Sequence, residues 1–185
     1  MMNYDWGIME GAWVAGIFGI IGSLTGGIIT YLSSYQLHNK KIKEDGKIVS
    51  QSLAAEIQSI ISLLHDHNYE QGLNIAIEKT SRGEPYAMVW PVKKDYCRVF
   101  NGNVSRIGIL TVGAPETVKF YNLIQSLIED LDTLGTDIVV LIKSGYRPGP
   151  QWVTFTNRYT VIQSKLRAVI TAGQIALEKL ESTNK

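Results

Sequence analysis

The sequence is poor in the residues that brace a small fold covalently or do its chemistry. It has one cysteine, Cys97, and three histidines in 185 residues. A lone thiol offers no disulfide framework and is unremarkable in a reducing compartment. An excess of one charge is missing too, because 18 Lys and Arg stand against 17 Asp and Glu, for a net charge of +1. Such a balance provides no global field to recruit nucleic acid, so no nucleic-acid partner is expected. There is no nucleophile elbow, phosphate-binding loop or HExxH motif, and no internal repeat or low-complexity tract. The expectation is a non-enzyme that needs no cofactor and no metal.

Against these absences stands one long uncharged run, Gly11–Leu32, of 22 residues. As a helix it measures about 33 Å, enough to cross a hydrocarbon core of roughly 30 Å. The run predicts a transmembrane helix over 11–35, preceded by a short tail, 1–10. A cleaved signal peptide and a glycine-rich buried helix are the rivals. The leader before the run carries Asp5 and Glu10 but no Lys or Arg, and the run is too long for a signal-peptide core. After it come Lys40, Lys41, Lys43 and Lys47. Basic residues stay on the cytoplasmic side, which orients the N-terminus outward and the rest of the chain inward at a bacterial inner membrane. Trp6 and Trp13 at one end, with Tyr31 and Tyr35 at the other, fit interfacial aromatic belts. The lysines of segment 36–47 are expected to contact anionic headgroups of the lipid bilayer. Gly11, Ala15, Gly19, Ser23 and Gly27 recur every fourth residue, with Gly22 and Gly26 beside them. Small residues at that spacing permit close helix approach, so a homo-oligomer is expected.

Residues 48–185 read as one α-helical bundle. Leu53, Ile57, Ile60, Ile61 and Leu64 form a helical stripe that predicts a helix over Ile48–Asp66. Gly46 before it reads as either a joint or part of one longer helix. A second helix is predicted over Tyr69–Thr80, ended by Ser81-Arg82-Gly83-Glu84-Pro85. YAMVWPV reads as an extended segment, since Pro91 argues against a central strand. A short helix and turn follow, with Asn101, Gly102 and Asn103 as turn formers. Ala114-Pro115-Glu116 opens a helix whose stripe runs Val118, Tyr121, Ile124, Leu127, Ile128, Leu131 and Leu134. DIVVLIK reads as its continuation rather than a strand. The last helix covers about Trp152–Ser182. Four amphipathic helices bury their apolar faces by packing together, so the predicted class is all-α: a transmembrane helix followed by a four-helix-bundle-like domain.

Few side chains suggest chemistry. His65-Asp66-His67 places its two imidazoles about 200° apart on a helix, which suits a solvated helix end better than a metal. Glu129, Asp130 and Asp132 read as the wet face of an apolar helix rather than a catalytic pair. Cys97 lies near Lys93, Lys94 and Arg98, which could lower its pKa, yet it has no base partner. Arg98, Asn101, Asn103, Ser105 and Arg106 are set among apolar residues and must find partners. They read as a polar clasp for the short helix or, alternatively, with Arg98, Asn101, Asn103 and Arg106 in front, as a contact site for a ligand or partner.

Leu53-Ala54-Ala55-Glu56-Ile57, Val99-Phe100-Asn101-Gly102-Asn103, Arg106-Ile107-Gly108-Ile109-Leu110 and Val118-Lys119-Phe120-Tyr121 together resemble small uncharacterised bacterial and prophage proteins with one N-terminal span. The resemblance implies an anchor and a cytoplasmic helical domain, and brings no activity, cofactor or catalytic residue. The reading is an interaction, sensor or inhibitor module that meets a cytoplasmic protein partner. The alternative is a membrane-active or phage-exclusion protein working through self-assembly of the glycine-faced span.

Overall fold

The computed structural model describes residues 6–87, 96–110, 112–143, 145 and 148–182, with the side chains of 6–22, 24 and 25 left aside. Among these residues all regular structure is helical, as the apolar periodicities predict. The elements are α1 (Trp6–Asp66), α2 (Tyr69–Ser81), α3 (Arg98–Asn103), a 3-10 helix (Val104–Ile109), α4 (Ala114–Lys143) and α5 (Gln151–Ser182). The chain divides into two compact units, Met1–Asp45 and Gly46–Lys185.

In the first unit the described apolar side chains of α1 face outward. Ile28, Ile29, Tyr31, Leu32, Tyr35 and Leu37 are all exposed, Ile29 at 64% and Leu37 at 70%. Among the described residues no helix is long and apolar enough to cross a membrane. The backbone of the predicted span is helical throughout, while the side chains of 6–22, 24 and 25, among them Gly11, Ala15, Gly19 and Gly22 of the small-residue row, lie outside the described ones. Lys40, Lys41 and Lys43 are exposed, and Lys40 lies 3.9 Å from Glu44 one helical turn on.

The second unit starts inside α1, where Gly46 is helical. Its missing side chain serves an approach: a Cβ there would lie 3.0 Å from the Ile109 carbonyl oxygen. Beyond it, Val49, Leu53, Ile57, Ile60, Ile61 and Leu64 are buried along the predicted stripe. α1 stops where Asn68 takes a left-handed conformation, φ 50°, which asparagine tolerates better than most residues.

α5 shows how the helices are arranged. Ser50 on α1 donates from Oγ to the Leu180 carbonyl at 3.0 Å. Farther along, Glu70 of α2 accepts from Arg167 at 2.8 Å, Gln163 donates to Asn74 at 2.6 Å, and Thr156 donates to Thr80 at 3.0 Å. The end of α1 and then α2 thus follow α5 in succession. α4 runs antiparallel to α5, with Gly113 against Lys179 and Leu180, Asp130 paired with Lys165, and Asp137 paired with Arg158. The four expected helices are present, but two of them share one row. Ser50 caps a carbonyl in the last turn of α5, where helical partners run out. Ser50→Ala is expected to cost about 1 kcal/mol in an unfolding titration, whereas Ser52→Ala, which removes only an exposed bond to the Ile48 carbonyl of its own helix, is expected to cost far less.

DIVVLIK is helical up to Lys143, because Ile138 continues the stripe of Leu127, Leu131 and Leu134 into the core. Asn101, Gly102 and Asn103 do not form a turn. They complete α3, and the Asn103 amide donates to the Val99 carbonyl at 2.8 Å before the chain tightens into the 3-10 helix. Of YAMVWPV, Tyr86 and Ala87 are described, and the Tyr86 carbonyl accepts from the buried Tyr159 hydroxyl at 3.1 Å. The remainder lies outside the described residues.

Candidate functional site: a carboxylate clasp and the cavity beside it

α3 has six residues, too few to hold a helical turn in water by themselves. What holds it is a carboxylate on another helix. Glu56 of α1 accepts the Val99 amide at 2.7 Å on Oε1, and the Phe100 amide at 3.0 Å on Oε2. These are first-turn N–H groups, which have no partner inside their own helix. Oε2 also accepts the Tyr121 hydroxyl of α4 at 2.6 Å. One side chain therefore ties α1, α3 and α4 together with three hydrogen bonds to an ionisable acceptor, the stronger class of such bonds.

The aromatic packing follows the same line. The Phe100 ring stacks on Tyr121 with centroids 3.9 Å apart and planes at 19°. Phe120 meets Tyr121 edge-on at 5.1 Å. Tyr121 is 1% exposed, and burial raises its hydroxyl pKa far above the usual range, helped by its hydrogen bond to Glu56. It remains a protonated donor at any physiological pH.

Cys97 precedes α3 and faces the same region. Burial, and second the charge of Glu56, push its thiol up to about 11. Arg98 beside it does not reverse this, and Lys93 and Lys94 lie outside the described residues. A thiol so protonated is a poor nucleophile at neutral pH.

Next to the clasp lies a cavity of about 230 Å3 between α3 and α4. Cys97, Phe100 and Asn101 wall it from the α3 side, and Tyr121, Gln125, Glu129 and Asp132 from α4. It joins an aromatic surface to two amides and two carboxylates. A second void of about 30 Å3 sits in the core among Ile60, Tyr69, Leu73, Ile124 and Leu166, is lined only by apolar atoms and is of water size.

Of the residues singled out by sequence, Asn101 reaches the cavity, whereas Asn103 spends its amide on Val99 within α3. Arg98 and Arg106 are exposed and engaged in interactions of their own, and neither lines the cavity. The acidic run separates: Asp130 pairs with Lys165, and Glu129 and Asp132 line the cavity. His65 and His67 are exposed at the end of α1, where the His67 ring lies 5.5 Å from that of Tyr69. Gly26 and Gly27 are exposed, with open space where a Cβ would stand, and Ser23 is exposed. Lys47 is exposed at the start of the second unit.

The short helix is thus clasped, but from the opposite side, by Glu56 and Tyr121. Sequence offered one signal for Glu56: it follows Leu53 by three residues and precedes Ile60 by four, so it sits at the edge of a buried stripe. No family model, curated protein or solved structure matches the chain.

Proposed function

We propose that the protein is a single-pass inner-membrane protein whose Gly46–Lys185 unit is a cytoplasmic sensor or interaction module. The observation that carries this is the continuity of α1. One helix, Trp6–Asp66, holds both the uncharged run Gly11–Leu32 and Glu56, the residue on which α3 depends. A change in α3 or its cavity then has a direct covalent route toward the anchor. The exposed Ile28, Ile29, Tyr31 and Leu32 supply apolar surface that a bilayer would cover, and Lys40, Lys41, Lys43 and Lys47 supply the charge for its inner leaflet.

A second reading shares the anchor and adds self-assembly. Gly26 and Gly27 leave open space on α1, which suits close approach of a second copy within the bilayer. Under this reading the assembled span, rather than the helical unit, is the effector that perturbs the membrane or excludes an invading phage.

Extraction of bacterial membranes at alkaline pH tests the anchor. The native chain is expected to stay with the lipid pellet, and a variant with Ile20→Lys and Ile21→Lys to leave it. Release of the native chain by the same wash sinks the proposal. Cross-linking of the native chain, lost in Gly26→Leu, is the result that would favour assembly.

A further inference from the structure

We infer that α3 and the 3-10 helix together, residues 98–109, form a latch that closes on α1 in one register only and opens as one piece when α1 is displaced. This deepens the sensor reading and rests on it for its biological use, though not for its physics.

The latch lies along two helices at once. On α1 its first turn meets Glu56 through the Val99 and Phe100 amides, and its last residue meets Gly46, where the Ile109 carbonyl oxygen stands 3.0 Å from the place of a Cβ. On α4 the Phe100 ring stacks on Tyr121, and Ile107 shares a surface groove with Ala114 and Val118. Residue numbers rise along the latch as they fall along both helices, so it runs antiparallel to each and bridges them. The part of α4 it covers is one stripe, since Ala114, Val118 and Tyr121 follow at i, i+4 and i+7.

Little of the latch itself is buried. Ile107 is, but α3 has no buried residue and Val104 is 54% exposed. A segment with so little buried apolar surface belongs to the low end of local stability and opens before the core does. Arg98 and Arg106 are also engaged. The register is set at the two ends, where backbone groups of the latch meet α1.

Those ends ask α1 for opposite things. One needs a carboxylate for two amide N–H groups that have no partner in their own helix, and the other needs no side chain at all. Glu56 and Gly46 supply both, about 15 Å apart along α1. A slide of one helical turn brings Ser52 with Ile42, or Ile60 with Ser50, to these two places, and neither pair meets both needs. Displacement of α1 therefore loosens both ends together and uncovers Tyr121.

The test uses the full-length protein in detergent. Amide exchange is measured along the latch, and Cys97, which precedes α3, gives a second probe through its rate of modification by methyl methanethiosulfonate. Gly46→Ala and Gly46→Val put a Cβ against the Ile109 carbonyl at one end. Both are expected to speed exchange at Val99 and Phe100 and modification of Cys97, at the other end, by about tenfold, valine more than alanine, while the amides of Leu127 and Val169 keep their native rate. Alanine also raises the helix propensity of α1, so faster opening in that variant does not come from a weaker helix. Glu56→Gln is expected to act in the reverse direction, speeding exchange of the Leu110 amide, which donates to the Ile107 carbonyl. Effects confined to the end that was changed, or a latch that exchanges only at the rate of Leu127 and Val169, overturn the inference. Membrane extraction reads the anchor and latch exchange reads the helical unit, so either can fail without the other.

Discussion

Replacing Glu56 with Leu is expected to lower stability by roughly 2–4 kcal/mol and to release α3 from the helical unit. The reasoning starts from three donors, the Val99 and Phe100 amides and the Tyr121 hydroxyl, which all lose their acceptor at once. Water can reach the two half-buried amides in part, which is why the figure stays well below three full desolvation penalties. It does not readily reach the Tyr121 hydroxyl, whose residue is almost fully buried. Glu56→Gln keeps one acceptor oxygen but turns an amide N–H2 toward a donor, so about half the loss is expected. Tyr121→Phe removes one donor and leaves the two amides held, for about 1 kcal/mol. In the double variant Glu56→Leu/Tyr121→Phe the orphaned hydroxyl is gone, and the combined cost should fall short of the sum.

Urea titration gives the energies, and amide exchange at Val99 and Phe100 gives the location. Fast exchange confined to α3, with the rest of the helical unit protected, is the expected pattern. Cys97 should also react faster, because its cavity loses the α3 wall. Native stability and slow exchange at Val99 and Phe100 in Glu56→Leu would show that α3 is held by other contacts.

The contrast between Glu56 and the apolar stripes shows what was readable in advance. Leu53, Ile57, Ile60, Ile61 and Leu64 announce a helix face locally, because burial repeats with helical period within one segment. The same holds for α4, where Leu127, Leu131 and Leu134 extend to Ile138 and carry DIVVLIK into the helix. Glu56 has no such local signature, since its partners lie 43, 44 and 65 residues away. A carboxylate at the edge of a stripe is also what a solvated helix face looks like. Asn101-Gly102-Asn103 mislead for a related reason. Their intrinsic preference is for turns, yet tertiary contact overrides it through the Glu56 clasp. Gly46, which reads equally as a joint or as part of one longer helix, is helical. Glu129 and Asp132 were visible as an acidic run, but their place beside Phe100 and Tyr121 depends on how α3 folds back on α4.

Gly173→Val is expected to cost about 3 kcal/mol, the largest effect of any single added side chain in α5. A Cβ on Gly173 would stand 2.7 Å from Ile61 Cδ1 and 2.9 Å from Phe120 Cε2, where α1, α4 and α5 converge. Gly173→Ala already forces that contact, and its gain of up to about 1 kcal/mol in helix propensity offsets only part of the overpacking. Valine adds two methyl groups to the same crowded place. Gly135→Ala is the control, for it too sits within a helix but meets nothing within 4 Å, and a gain of roughly 0.5–1 kcal/mol is expected there. Ile61→Val removes the Cδ1 atom that stands in the way, so in the Gly173→Ala background its usual cost of about 0.5–1.5 kcal/mol should shrink or reverse. Strict additivity in that cycle, measured by urea titration, would remove Ile61 from the account. The consequence reaches the clasp. Ile61 lies just over one turn beyond Glu56 on α1, and Phe120 is the neighbour of Tyr121 on α4. A side chain that wedges Ile61 away from Phe120 also draws Glu56 from the Tyr121 hydroxyl, which now sits 2.6 Å away. Gly173→Val should therefore speed amide exchange at Val99 and Phe100 without touching either residue, because the same close approach of helices that fills the core also sets the length of the bonds that hold α3.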